Sequence, residues 1–247
     1  MPRGVNGLWL GTLLTLGISD SAHAIWDDDS RDFLRGGQRA ETVMLFAGFD
    51  IWQHGFSGHA GLLWAPQTLA RDGFLVKLLA AGGAYRYRSA GVNVTGLHAL
   101  DSVMAGYRLE RNGFEVRLFA GPDFQYHRLS TFDFNNKLQG MLYGVRVNAE
   151  AWWQPVPDMM IASSVSASTI GNTFGARAAF GWRFMDHFFA GPEVETFTDF
   201  HYRHYRIGAH VTAFRTGDFE WSLGGGYAID NNSRSGAYGR LSVLTRR

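Results

Sequence analysis

The chain has no cysteine, so no disulfide can staple it and no thiolate can hold a metal. Charge is scarce, at 18% of residues, and a net charge of +1 gives no reason to expect nucleic acid as a partner. Beyond the first residues, no apolar run approaches the roughly 20 residues of a membrane helix. That leaves a soluble periplasmic protein or a barrel. No G-x-S-x-G elbow occurs, and His98, His127, His187, His201, His204 and His210 show no serine partner. His204 and His210 share a strand face, but at that spacing they stand about 20 Å apart, too far to share a metal. The residues therefore point to no catalytic group, no metal and no cofactor.

The first residues carry a compartment signal. Arg3 is a positive start, Leu8–Ile18 is an apolar core too short to span a bilayer, and Ala22-His23-Ala24 has the small-x-small form accepted by signal peptidase. Residues 1–24 read as a Sec signal peptide cleaved after Ala24. Residues 25–41, rich in Asp and Arg without clean periodicity, read as a periplasmic lead-in. The rest, 42–247, reads as one domain.

That domain alternates. Phe114, Val116, Leu118 and Ala120 point one way, and Glu115, Arg117, Phe119 and Gly121 the other. The same pattern appears at 141–153, at 174–184, and at 205–213, where Tyr205, Ile207, Ala209, Val211 and Ala213 form the apolar face. Strand candidates lie at 42–53, 56–64, 74–88, 95–109, 114–126, 138–153, 159–170, 173–184, 187–197, 202–214, 218–229 and 236–245. Turn chemistry separates them: His54-Gly55, Arg111-Asn112-Gly113, Pro155 to Asp158, Gly171-Asn172 and Thr216-Gly217-Asp218. An even count closes a meander with both termini on the periplasmic side.

Charges in mid-strand fall on one face only. An arginine or lysine facing lipid costs roughly 2–4 kcal/mol at the midplane, so these belong in a lumen. The expectation is an all-β, antiparallel, up-and-down transmembrane barrel of about twelve strands in an outer membrane, in contact with its lipid. Aromatics at strand ends, Trp52, Trp64, Trp152, Trp153, Trp182, Phe184, Phe188, Phe189 and Trp221, read as interface girdles. A sandwich or lipocalin-like barrel would use the same alternation with its faces swapped. Strand length, short turns and the breadth of the apolar face favour the membrane form.

The inward set comprises Glu115, Arg117, Asp123, Arg146, Glu150, Arg177, Arg183, Glu193, Glu195, Arg206, Glu220 and Arg240. Its signs nearly balance, and confined charges must pair, so it reads first as a network stiffening a narrow barrel. A conduit or cleft for a hydroxylated polymer is the competing use. The serines from Ser163 to Ser168 read as a small polar wall. Asp133, Asn135 and Asn136 suit either an ordinary turn or a contact to a cation or sugar hydroxyls. Two segments echo each other, Phe119-Ala-Gly-Pro-Asp123 and Phe189-Ala-Gly-Pro-Glu193, and each proline marks a bulge or ladder break.

Many segments in order resemble the BcsS family of cellulose biosynthesis proteins. They include Leu45-Phe-Ala-Gly-Phe-Asp-Ile-Trp52, Gly61-Leu-Leu-Trp-Ala-Pro66, Ala176-Arg-Ala-Ala-Phe-Gly-Trp-Arg183 and Val211-Thr-Ala-Phe-Arg-Thr-Gly217. The resemblance implies a non-catalytic accessory barrel aiding glucan export or organisation, with cellulose and the synthase complex as partners. It carries over no catalytic residue. Under it, Trp52, Tyr85, Tyr87 and Tyr126, near the outer rim, become the expected glucan contacts, although each also suits a lipid-facing girdle. An outer-membrane barrel enzyme, acting on lipid or polysaccharide, and a structural scaffold are the alternatives. The chain ends Leu244-Thr-Arg-Arg247, without the terminal aromatic usual in such barrels; Tyr238, Leu241 and Val243 are the substitutes.

Overall fold

The computed structural model describes residues 41–247, apart from Ala90, Asn135, His201 and the side chain of Arg88. The signal peptide and the lead-in up to residue 40 lie outside the described residues. Twelve strands run β1 Val43–Trp52, β2 Gly55–Trp64, β3 Gly73–Ser89, β4 Val92–Arg111, β5 Phe114–Leu129 and β6 Gly140–Val156. They continue with β7 Met159–Ser168, β8 Thr173–Phe184, β9 Phe188–Thr198, β10 Arg203–Thr216, β11 Phe219–Asp230 and β12 Ser235–Arg246. Each pairs antiparallel with its sequence neighbours, and β1 pairs with β12 from Met44↔Arg246 to Trp52↔Tyr238, so the sheet closes.

The turns form where their chemistry demands. Between β4 and β5, Asn112 and Gly113 both have positive φ, 52° and 77°, the conformation a two-residue hairpin loop needs to match the strand twist. The start of β1 and the end of β12 lie at one end of the barrel, with the β2–β3, β4–β5, β6–β7, β8–β9 and β10–β11 connections. The longest described loop, 130–139, joins β5 to β6 at the other end.

The exterior is apolar. Two rows of exposed rings encircle it: Trp64, Phe74, Phe114, Trp153, Trp182 and Phe184 near the termini, and Phe56, Phe124, Tyr126, Tyr143, Phe174 and Tyr205 towards the other end. On β5 the rows are separated by the run from Phe114 to Phe124, which after strand tilt is about 25 Å, the height of a lipid-facing apolar band. Between them lie Leu118, Val147, Val194, Ile207 and Leu223, all exposed. The charged side chains between the rows are inside, but the expected one-sidedness of mid-strand charge fails at Asp101, which is exposed on the outer wall of β4 opposite Phe124 in the upper row. This inverted polarity is what hydrocarbon solvent requires, and the barrel is transmembrane in type.

Three expected girdle residues face inward instead. Trp52, Trp152 and Phe189 are buried. Trp52 shares its face with Asp50, and Trp152 meets Phe189 edge-on across the lumen at 5.9 Å. Strand parity decides the face, and ring chemistry alone does not. Ala213 also departs from its expected apolar face. A bulge between Val211 and Phe214, with Ala213 at φ 66°, flips the alternation, so Ala213 is buried and Phe214 exposed.

The two Phe-Ala-Gly-Pro segments are structurally alike. Pro122 and Pro192 face outward, and beside each the ladder to the preceding strand lapses. The β4–β5 pairing skips from Ser102↔Asp123 to Ala105↔Ala120, and β8–β9 skips from Ala179↔Glu193 to Trp182↔Ala190. Register is the same on both sides of each gap, so these are breaks and not bulges. The preceding glycines are obligatory: a Cβ would lie 1.9 Å from the Val103 carbonyl at Gly121 and 2.1 Å from the Phe180 carbonyl at Gly191.

An arginine at Val194, midway between the ring rows, is expected to lose about 2–4 kcal/mol of folding free energy. Denaturant titration in lipid vesicles, scored by the heat-dependent gel shift of a closed barrel, measures it. A loss no larger than that of Val194→Ala would mean the exterior does not face lipid.

Candidate functional site

The lumen holds its charges in separate clusters. In one, Arg206 (β10) donates to both oxygens of Asp50 (β1) at 2.7 and 3.0 Å and lies 3.3 Å from Glu195 (β9). Arg240 (β12) bridges Glu195 at 2.9 Å and Glu193 at 2.5 Å, and Arg177 (β8) donates to Glu193 at 2.6 Å. Tyr238 donates to Glu193 at 2.8 Å, with the Arg206 guanidinium 4.9 Å above its ring. The second cluster centres on Asp123 (β5), which is fully buried. It accepts two bonds from Arg146 (β6), at 3.0 and 3.1 Å, and others from Ser102, Gln125 and Ser168. Arg146 also donates to Ser166, so the inward serines of β7 complete this cage.

Lys77 (β3) reaches Glu150 (β6) at 2.5 Å, its ammonium flanked by the rings of Phe46 and Phe119. Near the termini, Glu115 takes Arg108 at 2.8 Å and Arg117 at 2.5 Å. Glu220 lies 3.6 Å from Arg215 and 3.9 Å from Arg246. Thus Glu115, Arg117, Arg146, Glu150, Arg177, Glu193, Glu195, Arg206, Glu220 and Arg240 are all lumenal, distributed over several groups. Asp50, Lys77 and Arg108 were not anticipated. Parity alone could have found them, but Lys77 sits in Phe-Leu-Val-Lys-Leu-Leu, where apolar neighbours on both faces conceal the alternation.

Inward glycines make room for this. Gly224 underlies the Glu193–Arg240 contact, and a Cβ there would meet Glu193 Oε1 at 2.7 Å. Rings elsewhere lie flat over glycines of a neighbouring strand: Phe46 over Gly61, Tyr85 over Gly96, Phe119 over Gly106 and the Tyr238 hydroxyl over Gly208. Ring faces cover backbone that glycine leaves bare.

The far end of the lumen carries an aromatic collar. Tyr87 stacks on Tyr85 (6.0 Å, 18°), Tyr85 neighbours His98, and His98 stacks on His127 (6.1 Å, 28°). Across the mouth, Trp52 faces His204, which stacks on Phe197 at 5.6 Å and meets Tyr202. Trp52 Nε1, Tyr202 Oη and His98 Nδ1 are buried with no hydrogen-bond partner among the described residues. The 130–139 loop lies against the collar at Tyr87: Asp133 accepts from its hydroxyl at 3.2 Å, and Asn136 donates to it at 3.5 Å. Of the four expected glucan contacts, Trp52, Tyr85 and Tyr87 are thus in the collar. Tyr126 is on the outer wall in the upper ring row, 44% exposed.

Apolar outside, ion-paired inside and collared with aromatics at one mouth, the molecule is a transmembrane β-barrel protein. Residues 44–247 match the family model described as cellulose biosynthesis protein BcsS, and the chain belongs to that family. No curated sequence matches it. Among solved structures it is similar to the KdgM porin, at 11% identity and TM-score 0.44, with 82% of this chain and 98% of that chain covered. It is also similar to the translocator domain of the autotransporter NalP from Neisseria meningitidis (13%, 0.47, 88% and 92%). A further similar structure is LpxR from Salmonella typhimurium (11%, 0.42, 82% and 99%).

Asp123→Ala leaves Arg146 buried without its carboxylate and is expected to cost about 3–5 kcal/mol. The double variant Asp123→Ala/Arg146→Met is expected to recover most of that loss in the same denaturant titration. Additive losses would show that the two do not act as a pair.

Proposed function

We propose that this protein is a non-catalytic accessory barrel of cellulose biosynthesis in the outer membrane, exported as a Sec precursor. In this reading its collared mouth faces outward and engages the glucan chain. The observation that carries it is the collar itself. A glucan is neutral, so a one-signed field has nothing to grip; ring faces and unused polar edges suit it instead. Trp52, Tyr85 and Tyr87 are its contacts, and Tyr126, turned to the outer wall, is left out. The charges are spent on one another, which suits a wall and not a reaction centre. Among the described residues no serine hydroxyl is hydrogen-bonded to a histidine. His210 meets Thr212 at 3.1 Å, and its other nitrogen bonds the Phe180 carbonyl. That arrangement supports the non-enzymatic reading over a lipid hydrolase or polysaccharide-modifying barrel.

The burial of the collar, with the 130–139 loop against Tyr87, favours a second reading, a stiff scaffold for the synthase complex. Calorimetry of the purified full-length mature protein with cello-oligosaccharides separates the two. Direct contact predicts binding that falls at least about tenfold in Trp52→Ala/Tyr87→Ala, roughly one stacked ring's worth, and is unchanged in Tyr126→Ala. No binding at millimolar oligosaccharide, with cellulose secretion still lost in a deletion strain, would leave the scaffold.

A further inference from the structure

At the terminal end of the barrel Arg111 is paired with Asp72, Arg247 with Asp218 at 2.9 Å and Arg215 with Glu220, while Arg71 is exposed with no ion pair among the described residues. At the collared end Arg86 and Arg128 are exposed and make no ion pair among the described residues, while Asp133 and Asp230 are buried and Asp199 is half-buried on the β9–β10 turn. Asp230 is already taken by Arg234 at 2.6 Å.

Register brings the two arginines together. Arg86 on β3 pairs with Thr95 of β4, and Arg128 on β5 pairs with Leu97, the next outward residue of β4. They therefore flank one strand on the same outer wall, roughly 12 Å apart at the backbone and within joint reach of a single phosphate. Arg128 follows Tyr126 on that face, just above the upper ring row, where the headgroups of a bilayer lie. Beneath them the wall is shallow, with Gly82 and Ala84 on β3 and Ala99 on β4 giving an acyl chain room beside Leu97. The exposed carboxylate of this wall, Asp101, pairs in register with Phe124, about 13 Å further along the strands.

We propose that Arg86 and Arg128 bind the phosphate of an anionic lipid of the surrounding leaflet, fixing the barrel's depth on its β3–β5 side. The site is on the outer wall and so takes a lipid headgroup, not a soluble anion entering the mouth. Two guanidiniums supply forked donors to phosphate oxygens, and hydrocarbon below excludes competing water. The inference rests on the membrane reading above.

Native mass spectrometry of the full-length mature protein in neutral detergent, titrated with lipid A, tests it. Arg86→Gln/Arg128→Gln is expected to retain lipid A about tenfold less well than wild type, and Arg71→Gln, at the other end, equally well. Dephosphorylated lipid A is expected not to distinguish wild type from the double variant, and excess inorganic phosphate is expected not to displace the lipid. Equal retention by both proteins, or retention indifferent to the phosphates, overturns the inference. Vesicle insertion, scored by the heat-dependent gel shift, is followed in parallel. Intact insertion without lipid A selectivity sinks this site alone, and failed insertion of wild type sinks the membrane reading.

Discussion

A backbone amide in hydrocarbon has no water to bond, so the ladder that starts at Val43 has to close on itself. The β1–β12 seam does this along its length, and the chain ends tie it further: Arg247 donates to the Val43 carbonyl, and the Thr42 and Val43 amides donate back to Arg247. Closure with twelve strands fixes a narrow lumen, and the rest of the structure answers to that width. Long side chains from facing walls meet, so arginine and carboxylate can pair across intervening strands, as Arg206 does with Asp50 and Lys77 with Glu150. Those cross-lumen ties would be out of reach in a wide porin.

The same width explains the glycines. Side chains from every strand compete for the interior, and a ring or guanidinium can lie flat only where the strand beneath has none. Gly96, Gly106 and Gly224 therefore belong with Tyr85, Phe119 and the Glu193–Arg240 pair as matched halves of one contact. At Gly121 and Gly191 the reason is different. The neighbouring carbonyl presses against the wall beside an outward proline, and the ladder opens there without losing register. The two openings recur on strands β5 and β9 with an inward phenylalanine before and an inward acid after. The repetition of backbone, and not just of sequence, is what makes the two segments one structural device used twice.

Much of this was legible because strands repeat every two residues and lipid enforces the repeat. The twelve strands, their order and the side of nearly every charge follow from parity. What escaped detection marks the limits of parity. Trp52, Trp152 and Phe189 are near strand ends, where an aromatic suits lumen and interface equally. Ala213 follows a bulge that carries no strong sequence mark. Lys77 hides among apolar residues because its strand is greasy on both sides. Which arginine meets which acid could not be read at all. That depends on barrel curvature and on which strands face each other across the lumen, and neither is local. The collar was half visible: Trp52, Tyr85 and Tyr87 were apparent as rim aromatics, but their union with His98, His127 and His204 needed the closed wall.

The division of labour inside the lumen bears on how such a barrel could serve a neutral polymer. Charges that neutralise one another make a rigid wall and a weak field, because each ion is held by fixed partners and few are left to attract a ligand. Rigidity is concentrated from the Asp50–Arg206 and Asp123–Arg146 clusters towards the termini, and the collar at the far mouth is built from ring stacks with buried, unused polar edges. Stacked rings can separate or slide at less cost than paired ions, since no charge is stranded by the movement. The 130–139 loop meets the collar at the Tyr87 hydroxyl, which donates to Asp133 and accepts from Asn136. A barrel made this way can yield at its collared mouth while its ion-paired body keeps the seam closed. That combination is what contact with a passing glucan chain would demand.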